Sequence, residues 1–146
     1  MKKNRSNCPL TSALYIIGDK WSLIVIRDLF LGKKTFTEFI KSSEKIATNI
    51  LANRLELLTA NGLIKFTKRP NDRKTKLYYL TDMGIDMYPI MYEIMQWSDR
   101  NLKKKFGPSG VEFFKNSKGQ PAEKVISDVT LSYLDLREEI LAKVKS

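Results

Sequence analysis

The stretch from Lys34 to Gly84 constrains this chain more than any other, because its local signals change type three times within fifty residues. Thr35 and Glu38 have the spacing of a capping box, in which a hydroxyl and a carboxylate each satisfy an otherwise unpaired amide at a helix start. Phe36, Phe39 and Ile40 then share one helical face. Ser42, Ser43, Glu44 and Lys45 interrupt the pattern with turn residues. A second helix comes next, with Ile50, Leu51, Leu55 and Leu58 at amphipathic spacing. Asn61-Gly62 ends it, glycine being the usual residue of a left-handed C-terminal cap.

Leu63–Lys68 and Lys76–Leu80 read as the two strands of a hairpin. The loop from Arg69 to Lys74 holds Arg69, Arg73 and Lys74 against Asp72. Thr81 is placed to cap a further helix. Helix, turn, helix and hairpin in this order predict a winged helix-turn-helix. The expected class is mainly α with a small β-hairpin (α+β), carrying added dimerisation helices.

The polar face of the second helix holds Asn49, Ala52, Asn53 and Glu56, with Thr48 at its leading end. Helices that read DNA present base contacts from their N-terminal residues. Asn pairs well with adenine, and Thr can meet a base or a thymine methyl. Such residues also populate ordinary solvated helix faces, and basic hairpin tips also serve solubility. The surrounding charge favours the DNA reading. Residues 1–107 carry 20 Lys and Arg against 10 Asp and Glu, whereas residues 108–146 carry six of each. The whole excess of +10 therefore lies in the winged part, as a nucleic-acid surface requires.

Composition weighs against other classes. There is no histidine and one cysteine, which removes the commonest general base and any cysteine cluster for a metal. The seven glycines are scattered and form no phosphate loop. The sequence therefore predicts no enzyme, no cofactor and no metal site. No apolar run approaches the roughly 20 residues that span a bilayer. The basic start from Met1 to Arg5 has no apolar segment behind it. A cytoplasmic chain with a reduced thiol and no membrane partner is expected.

The segments CPLTSALYIIGDKWSLIVIRDLFLGKKTFTEF, LANRLELLTANGLI, YYLTDMG and YPIMYEIMQWSD together resemble the HxlR-type branch of the MarR-like winged-helix transcriptional regulators. The resemblance covers about two thirds of the chain, from Cys8 to Asn101. Cys-Pro, Gly-Asp-Lys-Trp and Leu-x-x-Leu-x-x-x-Gly-Leu-Ile stand in order at the separations of that family. Two features depart from it. Ala47 stands where a capping Ser is frequent, and the wing tip is closer to the wider MarR group than to the Pro-rich HxlR tip.

The resemblance implies a homodimer that binds a double-stranded DNA operator and answers a small-molecule or electrophile effector. Thr48, Asn49, Asn53 and Arg54 are then expected at the major groove. Lys33, Lys34 and Lys45 would meet phosphate, and Arg69, Arg73 and Lys74 the flanking backbone or minor groove. The alternative is a winged helix that binds protein instead of DNA. An apolar or acidic recognition face would mark it, and Asn49 and Asn53 argue against it.

Cys8 carries two readings. One is an inert residue in a loosely held arm. The other, implied by the cysteine that quinone- and electrophile-sensing HxlR-type regulators carry before their first helix, is a redox sensor. Lys3, Arg5 and a helix N-terminus are surroundings that lower a thiol pKa.

The first helix begins after Cys8-Pro9, and a second from Lys20 to Leu31 is apolar on so many sides that it should form the hub of the core. After the wing, Asp82 to Lys105 reads as one long helix in which Pro89 marks a kink or a late start. The family pairs subunits through this helix, which points to Ile90, Ile94 and Trp97; its Met and aromatic residues also suit a ligand pocket. The division expected is a DNA-binding domain over 8–107 and a helical extension over 108–146. In the extension, Ile126, Val129, Tyr133, Leu136 and Ile140 repeat at coiled-coil spacing, as an oligomerisation seam would.

Overall fold

The computed structural model describes residues 6–145 of the protein. Lys3 and Arg5, expected as neighbours of Cys8, lie outside the described residues. The elements run α1 (Pro9–Ile17), α2 (Ser22–Phe30), α3 (Phe36–Ile40), α4 (Thr48–Ala60), β1 (Ile64–Arg69), β2 (Asp72–Leu80), α5 (Asp82–Ile85), α6 (Tyr88–Asn101), α7 (Pro108–Ser117) and α8 (Ala122–Lys145).

α2 forms the centre, with Val25, Ile26 and Leu29 fully buried. It is shorter than its apolar pattern. Asp19 starts it by accepting from the amides of Trp21 at 2.8 Å and Ser22 at 2.9 Å. Trp21 is half-buried against the core, a packing residue. α3 opens on the expected capping box, Thr35 with Glu38. α4 buries Leu51, Leu55 and Leu58 against this core. Its N-cap is Ala47, with no side-chain bond, and Thr48 lies inside the helix and leaves that role unfilled.

β1 and β2 are antiparallel, pairing Ile64 with Leu80 and Phe66 with Tyr78. The strands extend further than the sequence suggests. A register shift between Thr67 and Arg69 lets Arg69 pair with Asp72, so the loop contracts to Pro70 and Asn71. Arg73 and Lys74 thus belong to β2 rather than to a loop. The amide of Tyr78 also donates to the carbonyl of Lys34 at 2.7 Å, which docks the segment before α3 beside the wing.

The single helix expected from Asp82 is two, because Pro89 occupies the first turn of a helix that starts late. Thr81 caps α5 through the amide of Gly84. A side chain at Gly84 would strike the carbonyl of Leu63, so the close approach of α5 to the chain just before β1 needs glycine there.

The extension is woven into the same core. Tyr133 and Ile140 are 2% and 4% exposed, and Tyr133 belongs to the cluster of Ile26, Leu29, Leu63 and Leu80. The Tyr133 hydroxyl accepts from the Leu80 amide at 2.8 Å, and Arg137 donates to the Leu80 carbonyl at 3.2 Å. Phe30 packs edge-on against both Tyr88 and Tyr133, with ring centres 5.1 and 5.3 Å apart. Tyr133 and Ile140 are therefore corrected from subunit interface to intramolecular core. Their period is that of a coiled coil because α8 packs along one stripe, and the partner of that stripe is the chain's own wing and α6.

Candidate nucleic-acid interface

α3, the turn through Ser42 to Lys45 and α4 form a helix-turn-helix, and the turn is fixed by charge. Arg27 on α2 reaches Glu44 with two nitrogens at 2.6 and 2.8 Å, and also donates to Asp28 at 2.8 Å and Ser42 at 3.0 Å. Hydrogen bonding to Arg27 holds the Glu44 carboxyl far below the usual carboxylate range, and Glu44 in turn pushes the guanidinium pKa up. Asp28 is 2% exposed, and its second oxygen receives Lys33 at 3.4 Å. Lys45 closes the turn at φ 56°, a left-handed conformation uncommon for a residue with a side chain.

With the turn set, α4 presents Thr48, Asn49, Ala52 and Asn53 as one exposed face at its N-terminal half. Beside it runs the wing, where Arg73, Lys74 and Lys76 are exposed on β2. A cleft of about 760 Å³ separates the two, lined by Thr37, Ala52, Glu56, Phe66, Lys74 and Lys76 among others. Asp72 shapes the tip by accepting from the amides of Lys74 at 3.2 Å and Thr75 at 3.1 Å. Hydrogen bonds from the Thr75 hydroxyl and these amides lower the Asp72 pKa. Lys76 lies 4.5 Å over the half-exposed ring of Phe66, which steadies its charge on the strand.

The structure gathers Lys34, Lys45, Thr48, Asn49, Asn53, Arg73 and Lys74 on or beside this helix–wing face, while two expected contacts are engaged elsewhere. Arg54 pairs with Asp19 at 3.1 Å and donates to the side-chain oxygen of Asn53 at 3.2 Å through Nε. It therefore orients Asn53 and ties α4 to the start of α2 instead of reaching outward. Burial would raise the Asp19 pKa, but bonds from Ser22 and Trp21 and the charge of Arg54 bring it down. Lys33 is drawn to the buried Asp28. Arg69 sits at the bulged end of β1 near Asp72. Lys76, which the sequence reading makes the first residue of the second strand, joins this face; its alternation with Lys74 across Thr75 is the available signal.

At the far end, Cys8 is exposed and forms the N-cap of α1. Its pKa is lowered by the backbone amide of Thr11, then the Thr11 hydroxyl, then the amide of Leu10. On α6, Ile90, Ile94 and Trp97 are 43%, 47% and 52% exposed, an apolar stripe facing away from the core. Among the described residues, no group of three or more His, Cys, Asp or Glu side chains could hold a metal ion, and no helix is long and apolar enough to cross a membrane.

A helix-turn-helix bordered by a basic two-stranded wing defines a winged helix-turn-helix protein. The chain belongs to the HxlR-like helix-turn-helix family, whose model matches residues 16–106. An uncharacterized HTH-type transcriptional regulator of Mycobacterium tuberculosis, Rv3095, is 30% identical over 96 residues, which are 66% of this chain and 60% of that relative. The HTH-type transcriptional regulator YodB of Bacillus subtilis is 29% identical over 94 residues, 64% of this chain and 84% of YodB. Among solved structures, the reduced form of the redox regulator HypR superposes with a TM-score of 0.59 at 29% identity, covering 66% of this chain and 95% of HypR. Reduced YodB gives 0.57 at 27% identity, covering 69% and 100%.

Proposed function

We propose that the protein is a transcriptional regulator that binds double-stranded operator DNA as a homodimer in the cytoplasm, and that it has no enzymatic activity. The observation that carries this is the exposed Thr48–Asn49–Asn53 face of α4, bordered by Arg73, Lys74 and Lys76 across an open cleft. The N-terminal half of α4 enters the major groove, where Asn49 and Asn53 read base edges and Thr48 meets a base or a methyl group. Arg54 acts through Asn53. Lys34, Lys45 and the wing residues Arg69, Arg73 and Lys74 neutralise phosphate and fix the register. The uncapped first turn of α4 leaves backbone amides free to join them.

The second subunit joins along Ile90, Ile94 and Trp97. The signal enters through Cys8, a reading supported by its exposed helix-start position, its lowered pKa and the kinship with the redox regulator HypR and with YodB, solved in a reduced form. YodB has been solved in quinone-bound and diamide-treated forms, which suits an electrophile as effector here.

Selection of bound fragments from a random DNA pool tests the reading. A dyad-symmetric consensus, bound with an affinity that falls by about 10³ between 50 and 200 mM salt, is expected if roughly six to ten phosphates are contacted. No enrichment, or an affinity indifferent to salt, overturns it.

A further inference from the structure

The family model ends at residue 106, just before α7. The two helices beyond that point enclose a space that the matched segment alone does not. α7 and α8 lie across α2 and α6 and close around a cleft of about 880 Å³. That size falls within the roughly 300–1,000 Å³ of small-molecule sites. Phe30, Tyr88, Met91 and Met95 come from the winged part, and Phe113 and Val129 from the extension. Rings and thioethers of this kind favour a flat, polarisable ligand, and Met adapts to its outline.

The cations at the cleft are already engaged. Lys124 is paired with Asp128 at 2.8 Å, and Arg27 is held by Asp28 and Glu44, leaving Glu112 exposed at the edge. A charged ligand would find no free counter-ion in the interior, whereas Ser109, Asn116 and Ser132 offer neutral hydrogen bonds around the lining. A second copy of the chain has a different surface to use. Ile90, Ile94 and Trp97 are exposed on α6 and lie outside the lining of the cleft.

Arg27 belongs to two sites at once. It lines the cleft, and its guanidinium nitrogens hold Glu44 and Ser42 in the turn before α4. We propose that this cleft binds an uncharged aromatic small molecule and that Arg27 transmits its occupancy to the turn that aims α4. The second part rests on the reading of α4 as the DNA-contacting helix, so it is tested without DNA.

The probe is N-phenyl-1-naphthylamine, uncharged and fluorescent in apolar surroundings, titrated into the full chain. Saturable binding of one probe per chain is expected at both low and high protein concentration. Ser132 is exposed and lines the cleft, so Ser132→Trp should fill the space and weaken binding roughly tenfold or more. Leu131→Trp, on the neighbouring exposed position outside the lining, should bind as wild type does. In the wild type the probe should change amide hydrogen exchange at residues 42–45. Glu44→Ala, outside the lining, should keep the probe within about threefold and lose that change, since Arg27 then has no carboxylate in the turn to hold. Unsaturable binding, wild-type affinity in Ser132→Trp, or loss of the probe as subunits associate overturns the site. Binding with unchanged exchange at 42–45 overturns the transmission. Neither result depends on whether the protein binds DNA.

Discussion

Arg27 and Glu44 stand seventeen residues apart and meet through two hydrogen bonds, at 2.6 and 2.8 Å, between the central helix and the turn of the helix-turn-helix. One side chain thereby fixes the angle between the two helices that a DNA-binding face depends on. A planar guanidinium suits the task because it grips both carboxylate oxygens and still reaches Asp28 and Ser42.

Glu44→Gln should lower stability at pH 7 by about 1–2 kcal/mol, the value of a charge-assisted contact reduced for its partial exposure. Because the folded carboxyl pKa is depressed, the contribution is complete above the unfolded value of about 4.3 and fades as pH falls through the folded one. Urea midpoints of wild type and variant should therefore converge on acidification below about pH 4. A gap that stays constant down to about pH 2.5 would show that Glu44 acts by shape alone.

Asn49→Ala and Arg73→Ala should fail differently on DNA. Loss of Asn49 should relax discrimination at one base pair per half-site by roughly 1–3 kcal/mol. Loss of Arg73 should weaken all sequences alike and flatten the salt dependence by about one phosphate. Anisotropy titrations on consensus and single-mismatch duplexes separate the two, and identical profiles would remove Asn49 from the groove.

Ile94→Glu places a charge in the middle of the exposed α6 stripe between Ile90 and Trp97. Sedimentation should show a monomer at concentrations where the wild type is a dimer, with the thermal midpoint nearly unchanged. A dimer that survives the substitution would place the interface elsewhere.

Tyr133→Phe leaves the Leu80 amide buried without its acceptor and should cost about 1–3 kcal/mol in urea unfolding. Burial pushes the Tyr133 hydroxyl up to about 12, so it stays neutral through the working pH range and the loss should not vary with pH there. Truncation after Phe106 removes Tyr133 and Ile140 from the core altogether. Such a fragment should lack a cooperative thermal transition, and one that melted like the full chain would show the last helix to be dispensable.

Cys8→Ser should keep reduced-state DNA affinity and lose the response to diamide or quinone. Without a second cysteine, oxidation can yield a bridge between two Cys8 thiols or a mixed disulfide. Equal responses of wild type and variant would make Cys8 structural and move the signal to a ligand site.

Much of the fold is legible in the residues. The Thr35–Glu38 cap, the Asn61-Gly62 stop and the buried face of α4 are all readable, because each is a local rule within four residues. The hairpin is readable too, but its strands are longer than composition alone suggests, since the bulge after Thr67 follows from pairing. Charge alone points Arg54 and Lys33 at DNA. The partner of Arg54, Asp19, comes from a position that only folding brings near, and Asp28, five residues before Lys33, acts as its partner because folding buries it. Tyr133 is hard to place for a related reason. A three-four repeat shows that a helix has an apolar stripe, and it cannot say whether the other side of that stripe is a second copy or the same chain.

The bond between Tyr133 and Leu80 spans 53 residues of sequence, and it ties the last strand of the wing to the last helix of the chain. A ribosome adding about 5–20 residues per second finishes the wing some 3–10 seconds before it makes the residues that complete the sheet's inner edge. During that interval the winged part is a nascent chain with Leu80 and Ile64 lacking their cover. Completion of this core thus waits for α8, and translation that stalls near the Gly107–Pro108 junction would release a product open to proteolysis.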